Sequence, residues 1–259
     1  MMNQAGSRRE TVETDILREL HGEMSRGSPV RLGFTRKAFQ MLPELDNPRI
    51  LDLGCGQGGP TLELARLSGG QVTGLDIDQS ALYELTRQAG QEGPSDHVQV
   101  VCGSMFDMEF AGESLDVIWS EGSMWVLGFE RALEEWRRFI RPRGFLAVHE
   151  MAWLRPGPPS EIRSCWQLAY PGIRTASEYV EQVLEHGYDL IGHFVLPEEF
   201  WWVDYYVPML ARLGELRRKY SRDQAAQRAL DQEQRAADLY SKHSRWYGSV
   251  FLVMQRGEG

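Results

Sequence analysis

The stretch Ile50-Leu51-Asp52-Leu53-Gly54-Cys55-Gly56-Gln57-Gly58-Gly59 decides the fold. A short apolar run carrying Asp52 breaks into four glycines within six residues, and a helical pattern follows from Pro60 to Leu67. Glycine takes positive φ at little cost and has no Cβ to hold a ligand away from the backbone. Strand, glycine turn and helix in that order are how an α/β protein presents bare N–H groups to a nucleotide. The expectation is an α/β chain that binds an adenosine-containing cofactor.

Two cofactor classes fit the spacing. Gly54, Gly56 and Gly59 match G-x-G-x-x-G, which alone is a weak signal. The next apolar run, Gln71 to Asp76, ends in an acid 22 residues after Gly54, where a ribose-binding carboxylate belongs in either class. Asp52 sits two residues before the first glycine, and a carboxylate there repels a pyrophosphate. S-adenosylmethionine has no phosphate and carries positive sulfonium and amino groups, which acids favour. Asp76 and Asp78 add two carboxylates with no Arg or Lys beside them to receive phosphate. S-adenosylmethionine is therefore the expected cofactor. The alternatives are an NAD(P)-dependent oxidoreductase and a non-catalytic S-adenosylmethionine-binding protein.

Further blocks follow in order. Gly103-Ser104-Met105 comes after the run Val98 to Val101. Leu115 to Gly122 reads as a buried strand with a polar tip, and Arg141-Pro142-Arg143-Gly144 feeds another strand. Together these blocks resemble the class I S-adenosylmethionine-dependent methyltransferases over about Arg49 to Glu150. Nearest in look are small-molecule enzymes of the quinone-biosynthesis kind and bacterial methyltransferases of unassigned substrate. The narrower likeness runs on through Trp119–Gly122, Gly128–Arg131 and Leu196–Glu198.

The resemblance implies a Rossmann-like, doubly wound, seven-stranded, mostly parallel sheet with an antiparallel last strand. N-terminal and inserted helices would cap it: a helical lid over 1–46 and a methyltransferase domain over 47–259 with a helical insert at about 198–244. By position, Asp52 and the turn Gly54, Cys55, Gly56 and Gly58 would face the methionine part of the cofactor. Asp76 would hold the ribose hydroxyls, Ile77 would pack on adenine, and Ser104 and Met105 would lie at the adenine edge. Many relatives carry Asp where Ser104 stands, and a serine brings no charge to that role. Ser120 and Glu121 would stand beside the reacting centre, with Glu121 and Glu150 the candidate proton acceptors. Strand alternation keeps His149 and Glu150 on opposite faces. Trp125, Trp153, Tyr170, Trp202 and Tyr206 are candidate walls for the methyl acceptor.

Composition bounds the rest. A net charge of −9 and a pI near 5.3 argue against a nucleic-acid partner. No apolar run of 18 residues exists and the N-terminus lacks a leader-like apolar segment, so no membrane association and a cytoplasmic location are expected. Three scattered cysteines suit reduced thiols, and the six histidines show no metal-ligand spacing, so no metal is expected. The oligomeric state is not legible.

Helical spacing is expected for Val12, Ile16, Leu17, Leu20 and Met24, and again around Phe34, Ala38 and Leu42. Phe129, Ala132, Leu133, Trp136, Phe139 and Ile140 read as one helix face stopped by Pro142 and Gly144. Thr175 with Glu178 predicts a capping box and Gly187 a stop. A helix over 222–243 and strands over 188–196 and 246–255 complete the expectation.

Overall fold

The structure is a computed structural model that describes residues 16, 17, 19–21, 28–93 and 95–258. Val12, Met24 and Gly27 lie outside the described residues, whereas Ile16, Leu17 and 19–21 are helical. The chain forms two compact units, one of Arg26–Leu196 with Trp246–Gly259 and the other of Met1–Ser25 with Pro197–Arg245.

In the first unit, helix α1 (Pro29–Phe39) starts at Ser28, whose hydroxyl accepts from the Arg31 N–H. Strand β1 (Arg49–Leu53) is buried on both faces from Ile50 to Leu53, as a central parallel strand must be, and Asp52 is the charged residue it buries. Helix α2 (Gly59–Ser68) lies between two left-handed glycines, Gly58 and Gly69. Strand β2 (Gln71–Asp76) leads to α3 (Gln79–Glu92), then β3 (Val98–Cys102) and β4 (Leu115–Glu121). Helix α4 (Phe129–Arg137) buries Phe129, Ala132, Leu133 and Trp136 at the expected spacing.

Phe139 and Ile140 are not on that helix. The chain leaves it after Arg137, and Ile140 opens β5 (Ile140–Trp153). Pro142 is accommodated because the β4–β5 register shifts between Leu115 and Val117. Within sheets proline is confined to edges, strand starts and such bulges because it lacks a ladder donor. Helix α5 (Ser160–Ala169) was not legible beforehand, and only Ile162 of it is buried. After the two-residue β6 (Arg174–Thr175), α6 (Ala176–Glu185) carries both bonds of the capping box, and Gly187 follows at φ +74°. Strands β7 (Tyr188–Val195) and β8 (Tyr247–Arg256) complete the sheet.

The sheet order is β3-β2-β1-β4-β5-β8-β7, with β6 paired to β5 as an eighth strand. Strands β1 to β5 pair in parallel, and β8 is antiparallel to both neighbours. The expected seven strands and antiparallel last strand are present, with β6 added. Strand order reverses at β1, so the switch point lies at the β1/β4 tips, where open α/β sheets bind ligands.

The second unit contains α7 (Glu198–Trp201), a π-helical turn at Trp202–Tyr206, α8 (Val207–Lys219) and α9 (Gln224–His243). Ala226, Leu230, Ala237 and Tyr240 form the buried face of α9, as their spacing predicts. No helix among the described residues is long and apolar enough to cross a membrane.

Candidate cofactor cleft

A cleft of about 320 Å³ opens at the switch point. It is bounded by Gly54 after β1, by Leu75, Asp76 and Ile77 at the tip of β2, and by Gly103 to Phe106 after β3. The turn after β4 closes it with Gly122, Ser123, Trp125 and Val126.

Its walls are assembled by hydrogen bonds at strand ends. The N–H groups of Gly54 and Cys55 both donate to the Leu75 carbonyl, at 2.8 and 3.2 Å. The Asp76 carboxylate receives the Gly56 N–H on Oδ2 at 2.8 Å and the Asp78 N–H on Oδ1 at 2.9 Å. Each carboxylate oxygen retains a second lone pair, so Asp76 can still accept from a diol. Ile77 is 76 % exposed and offers a flat apolar surface at the same edge.

Among the described residues lining the cleft, Asp76 is the only charged one, and none is a Lys or Arg that would neutralise phosphate. Buried Asp52 and half-buried Glu121 sit at the tips of the flanking strands. This donor set fits an uncharged ribose joined to a cation, and it fits S-adenosylmethionine better than a dinucleotide.

The other expected residues fall in different places. Asp52 does not line the cleft; its carboxylate accepts from Thr61 Oγ1 at 2.6 Å beneath the glycine turn. Burial pushes Asp52 up to about 7, Thr61 opposes the shift, and the Glu121 and Asp76 charges add to it. Cys55 is buried and its thiol is pushed up by that burial. Gly58 stands against Leu85, where a Cβ would fall 2.1 Å from Leu85 Cδ1, so helix packing accounts for it. Asp78 is the N-cap of α3, accepting from Ser80 and Ala81, and is not a second ribose acid.

Ser104 and Met105 line the cleft, with Ser104 Oγ accepting from the Phe106 N–H at 3.2 Å. Ser120 is buried and lies 2.8 Å from Ser123 Oγ. Because Ser123 spends its one proton on the Leu53 carbonyl at 2.6 Å, Ser120 must be the donor of that pair. Ser123 was missed by sequence reasoning: it lies outside the strand pattern and matches no motif. Glu121 Oε1 is engaged at 2.8 Å by both Thr35 Oγ1 and Trp119 Nε1, and burial raises its pKa against those bonds.

Glu150 is buried, accepts from the Met151 N–H at 2.8 Å and is pushed up to about 8 by burial, opposed by the Met151 and Trp125 N–H groups. His149, stacked on Phe251, is lowered to about 3 by burial and is neutral. Trp125 is half exposed on the cleft rim, and its ring meets that of buried Tyr170 edge-on at 6.5 Å. Trp153 instead packs against Tyr247 at 6.4 Å. Trp202 and Tyr206 belong to the second unit, where Tyr206 stacks on Tyr240 at 4.8 Å. Among the described residues no group of His, Cys, Asp or Glu is arranged to hold a metal ion.

Residues 50–144 match a family model described as a methyltransferase domain. A sterol 24-C-methyltransferase of Gibberella zeae is 35 % identical over 107 residues, covering 41 % of this chain and 28 % of that protein. A methyltransferase of Streptomyces halstedii, GfsG, is 28 % identical over 118 residues, 45 % of this chain and 42 % of its own. The chain thus spans less than half the length of these curated relatives.

Among solved structures, YjhP of E. coli aligns over 92 % of this chain and 98 % of its own, with a TM-score of 0.81 and 22 % identity. A Geobacter sulfurreducens S-adenosylmethionine-dependent methyltransferase in complex with S-adenosylhomocysteine gives 0.78 at 20 % identity, covering 93 % and 97 %. The [4+2]-cyclase SpnF gives 0.73 at 20 % identity, covering 95 % and 93 %. The chain therefore has the fold of these methyltransferase structures, and its residues 50–144 match the methyltransferase-domain model.

Proposed function

We propose that the protein is an S-adenosylmethionine-dependent methyltransferase acting on a small-molecule acceptor. The observation that carries this reading is the cleft at the switch point, whose one charged wall residue, Asp76, is acidic and preset by the Gly56 and Asp78 N–H groups. When bound, S-adenosylmethionine supplies a methyl group already activated on positive sulfur. The protein's work is then to bind, orient and exclude water.

Asp76 holds the ribose, Ile77 and Met105 hold the adenine, and the Gly54–Gly56 turn lets backbone approach the remainder. Alignment of the two reactants supplies on the order of 7–11 kcal/mol of the barrier. A base is needed only where the acceptor must lose a proton. Glu150 is retained for that role ahead of Glu121, because Glu121 Oε1 is taken by Thr35 and Trp119. Trp125 and Tyr170 stand on the acceptor side.

Sterol-like and isoprenoid acceptors are the first class to test, on the names of the relatives and of a geranyl diphosphate C-methyltransferase that shares the fold. The acidic chain disfavours polyanionic acceptors. Free Cys55, Cys102 and Cys165 support a reducing, cytoplasmic setting. Calorimetric titration with S-adenosylhomocysteine and with NADH tests the cofactor, and binding of NADH alone would refute the reading. Since a [4+2]-cyclase shares the fold, an acceptor screen must score S-adenosylhomocysteine release and not acceptor loss alone.

A further inference from the structure

Asp52, Asp76 and Glu121 stand at the carboxyl ends of β1, β2 and β4, the three adjacent strands that meet at the switch point. Asp76 lines the cleft. Asp52 lies behind the glycine turn, 1 % exposed, with Thr61 Oγ1 as its side-chain donor. The groups that face it are Asp76 on β2, Glu121 on β4, the uncharged Thr61 of α2, and the Cys55 thiol, which burial keeps neutral. Both charged neighbours are acidic. A carboxylate so placed holds negative charge at a cost that a nearby cation would remove.

We propose that Asp52 is a charge-sensing specificity residue: it becomes ionised when a sulfonium nucleoside enters the cleft and is reprotonated when the sulfur becomes neutral. It thereby distinguishes methyl donor from demethylated product. The idea rests on the cofactor reading above and adds the basis of discrimination. On entry of the cation the Asp52 O–H bond breaks and its proton leaves to solvent. On methyl transfer the sulfur keeps the electron pair of the broken S–C bond, becomes neutral, and Asp52 regains a proton from solvent.

Reach is supplied by the structure itself. Asp52 lies two residues before Gly54, and Gly54 and Asp76 both line the cleft, so the cleft wall is one turn of backbone away; burial and the Asp76 carboxylate both push Asp52 up. A positive charge in the same cleft acts with opposite sign. A purely structural Asp52, serving to tie α2 to β1, would be indifferent to the charge on a sulfur.

The test compares S-adenosylmethionine with S-adenosylhomocysteine, which share every ionisable group and differ at sulfur. Titration calorimetry at pH 7 in phosphate and in imidazole buffers reads proton release directly. S-adenosylmethionine should release about half a proton more than S-adenosylhomocysteine, and Asp52→Asn should abolish the difference. Should that variant not fold, the wild-type protein suffices. Its affinity ratio, S-adenosylmethionine over S-adenosylhomocysteine, should rise from pH 5.5 to 8.5, about tenfold for each pH unit by which the cation lowers Asp52. Binding of both ligands with a flat ratio, or a proton difference that survives in Asp52→Asn, overturns this inference and leaves the cofactor reading standing. Binding of neither overturns both.

Discussion

Gly54 lies so close to Ser123 that a β-carbon on it would fall 2.3 Å from Ser123 Cβ and 2.4 Å from its hydroxyl oxygen. Gly54 also has φ +68°, where side chains are disfavoured. The first glycine of the motif is thus required by the turn after β4, which presses Ser123 against it to reach the Leu53 carbonyl. Gly54→Ala should therefore lose stability as well as cofactor affinity. Ser123→Gly should partly rescue it, because the clash goes while the φ strain stays. Urea unfolding of both single variants and the double should show a coupling of at least about 0.5 kcal/mol. Strict additivity would mean that the two residues do not press on one another.

Asp76 offers a cleaner test of the cleft. Its two oxygens hold the Gly56 and Asp78 N–H groups, so it shapes the glycine turn and the start of α3 as well as lining the cleft. Asp76→Ala removes a charged acceptor and the preset turn together. The dissociation constant for S-adenosylhomocysteine should rise at least about tenfold. An unchanged constant would remove the ribose assignment.

How much of this was legible follows from the reach of each signal. The β1–glycine–α2 unit is local in sequence, so Gly54, Asp76 and the succession of strand, turn and helix could be read from spacing, whereas the character of the sheet came from the resemblance. Asp78 shows where spacing stops deciding: a helix N-cap and a ligand acid look alike in one dimension, and only the Ser80 and Ala81 bonds separate them. Gly58 and Gly54 share a motif, yet one faces Leu85 and the other Ser123, contacts made across 27 and 69 residues of chain. Helix α5 escaped notice because it buries little beyond Ile162, leaving no apolar stripe to read. The strand start at Ile140 was hidden by Pro142 and Gly144, which look like a stop and prove to be a bulge within β5.

Glu121 yields a prediction of its own. Its strand-tip position suggested the reacting centre, but Thr35 of α1 and Trp119 both donate to its Oε1. Thr35 is fully buried, so losing the bond leaves a carboxylate oxygen short of a donor. Thr35→Val should cost about 1–3 kcal/mol by urea unfolding, with most of that cost absent in a Glu121→Ala background, which has no acceptor to leave unpaired. A neutral Thr35→Val would show that α1 is not clasped through this pair.

Glu150 sets the pH dependence at the alkaline end. Its carboxyl, ordinarily near 4.5, is pushed up to about 8 by burial at the end of β5. The folded chain therefore holds this proton more tightly than the unfolded one, and folding takes up a proton between those limits. The contribution is fully present below about 4.5, falls as pH rises, and is lost above about 8. Asp52 acts with the same sign but is spent by about pH 7. His149, lowered to about 3, acts with the opposite sign and only in the acid range. Between pH 7 and 8 Glu150 contributes a slope of up to about 1.4 kcal/mol per pH unit, and Glu121, also raised by burial, acts with the same sign. Glu150→Gln cannot lose that proton, so its stability curve should be flatter across the interval, and its stability relative to the wild type should grow as pH rises toward 8. Parallel curves for the two proteins would mean that Glu150 is already ionised at neutral pH, and its candidacy as a proton carrier would have to be argued from a different charge state.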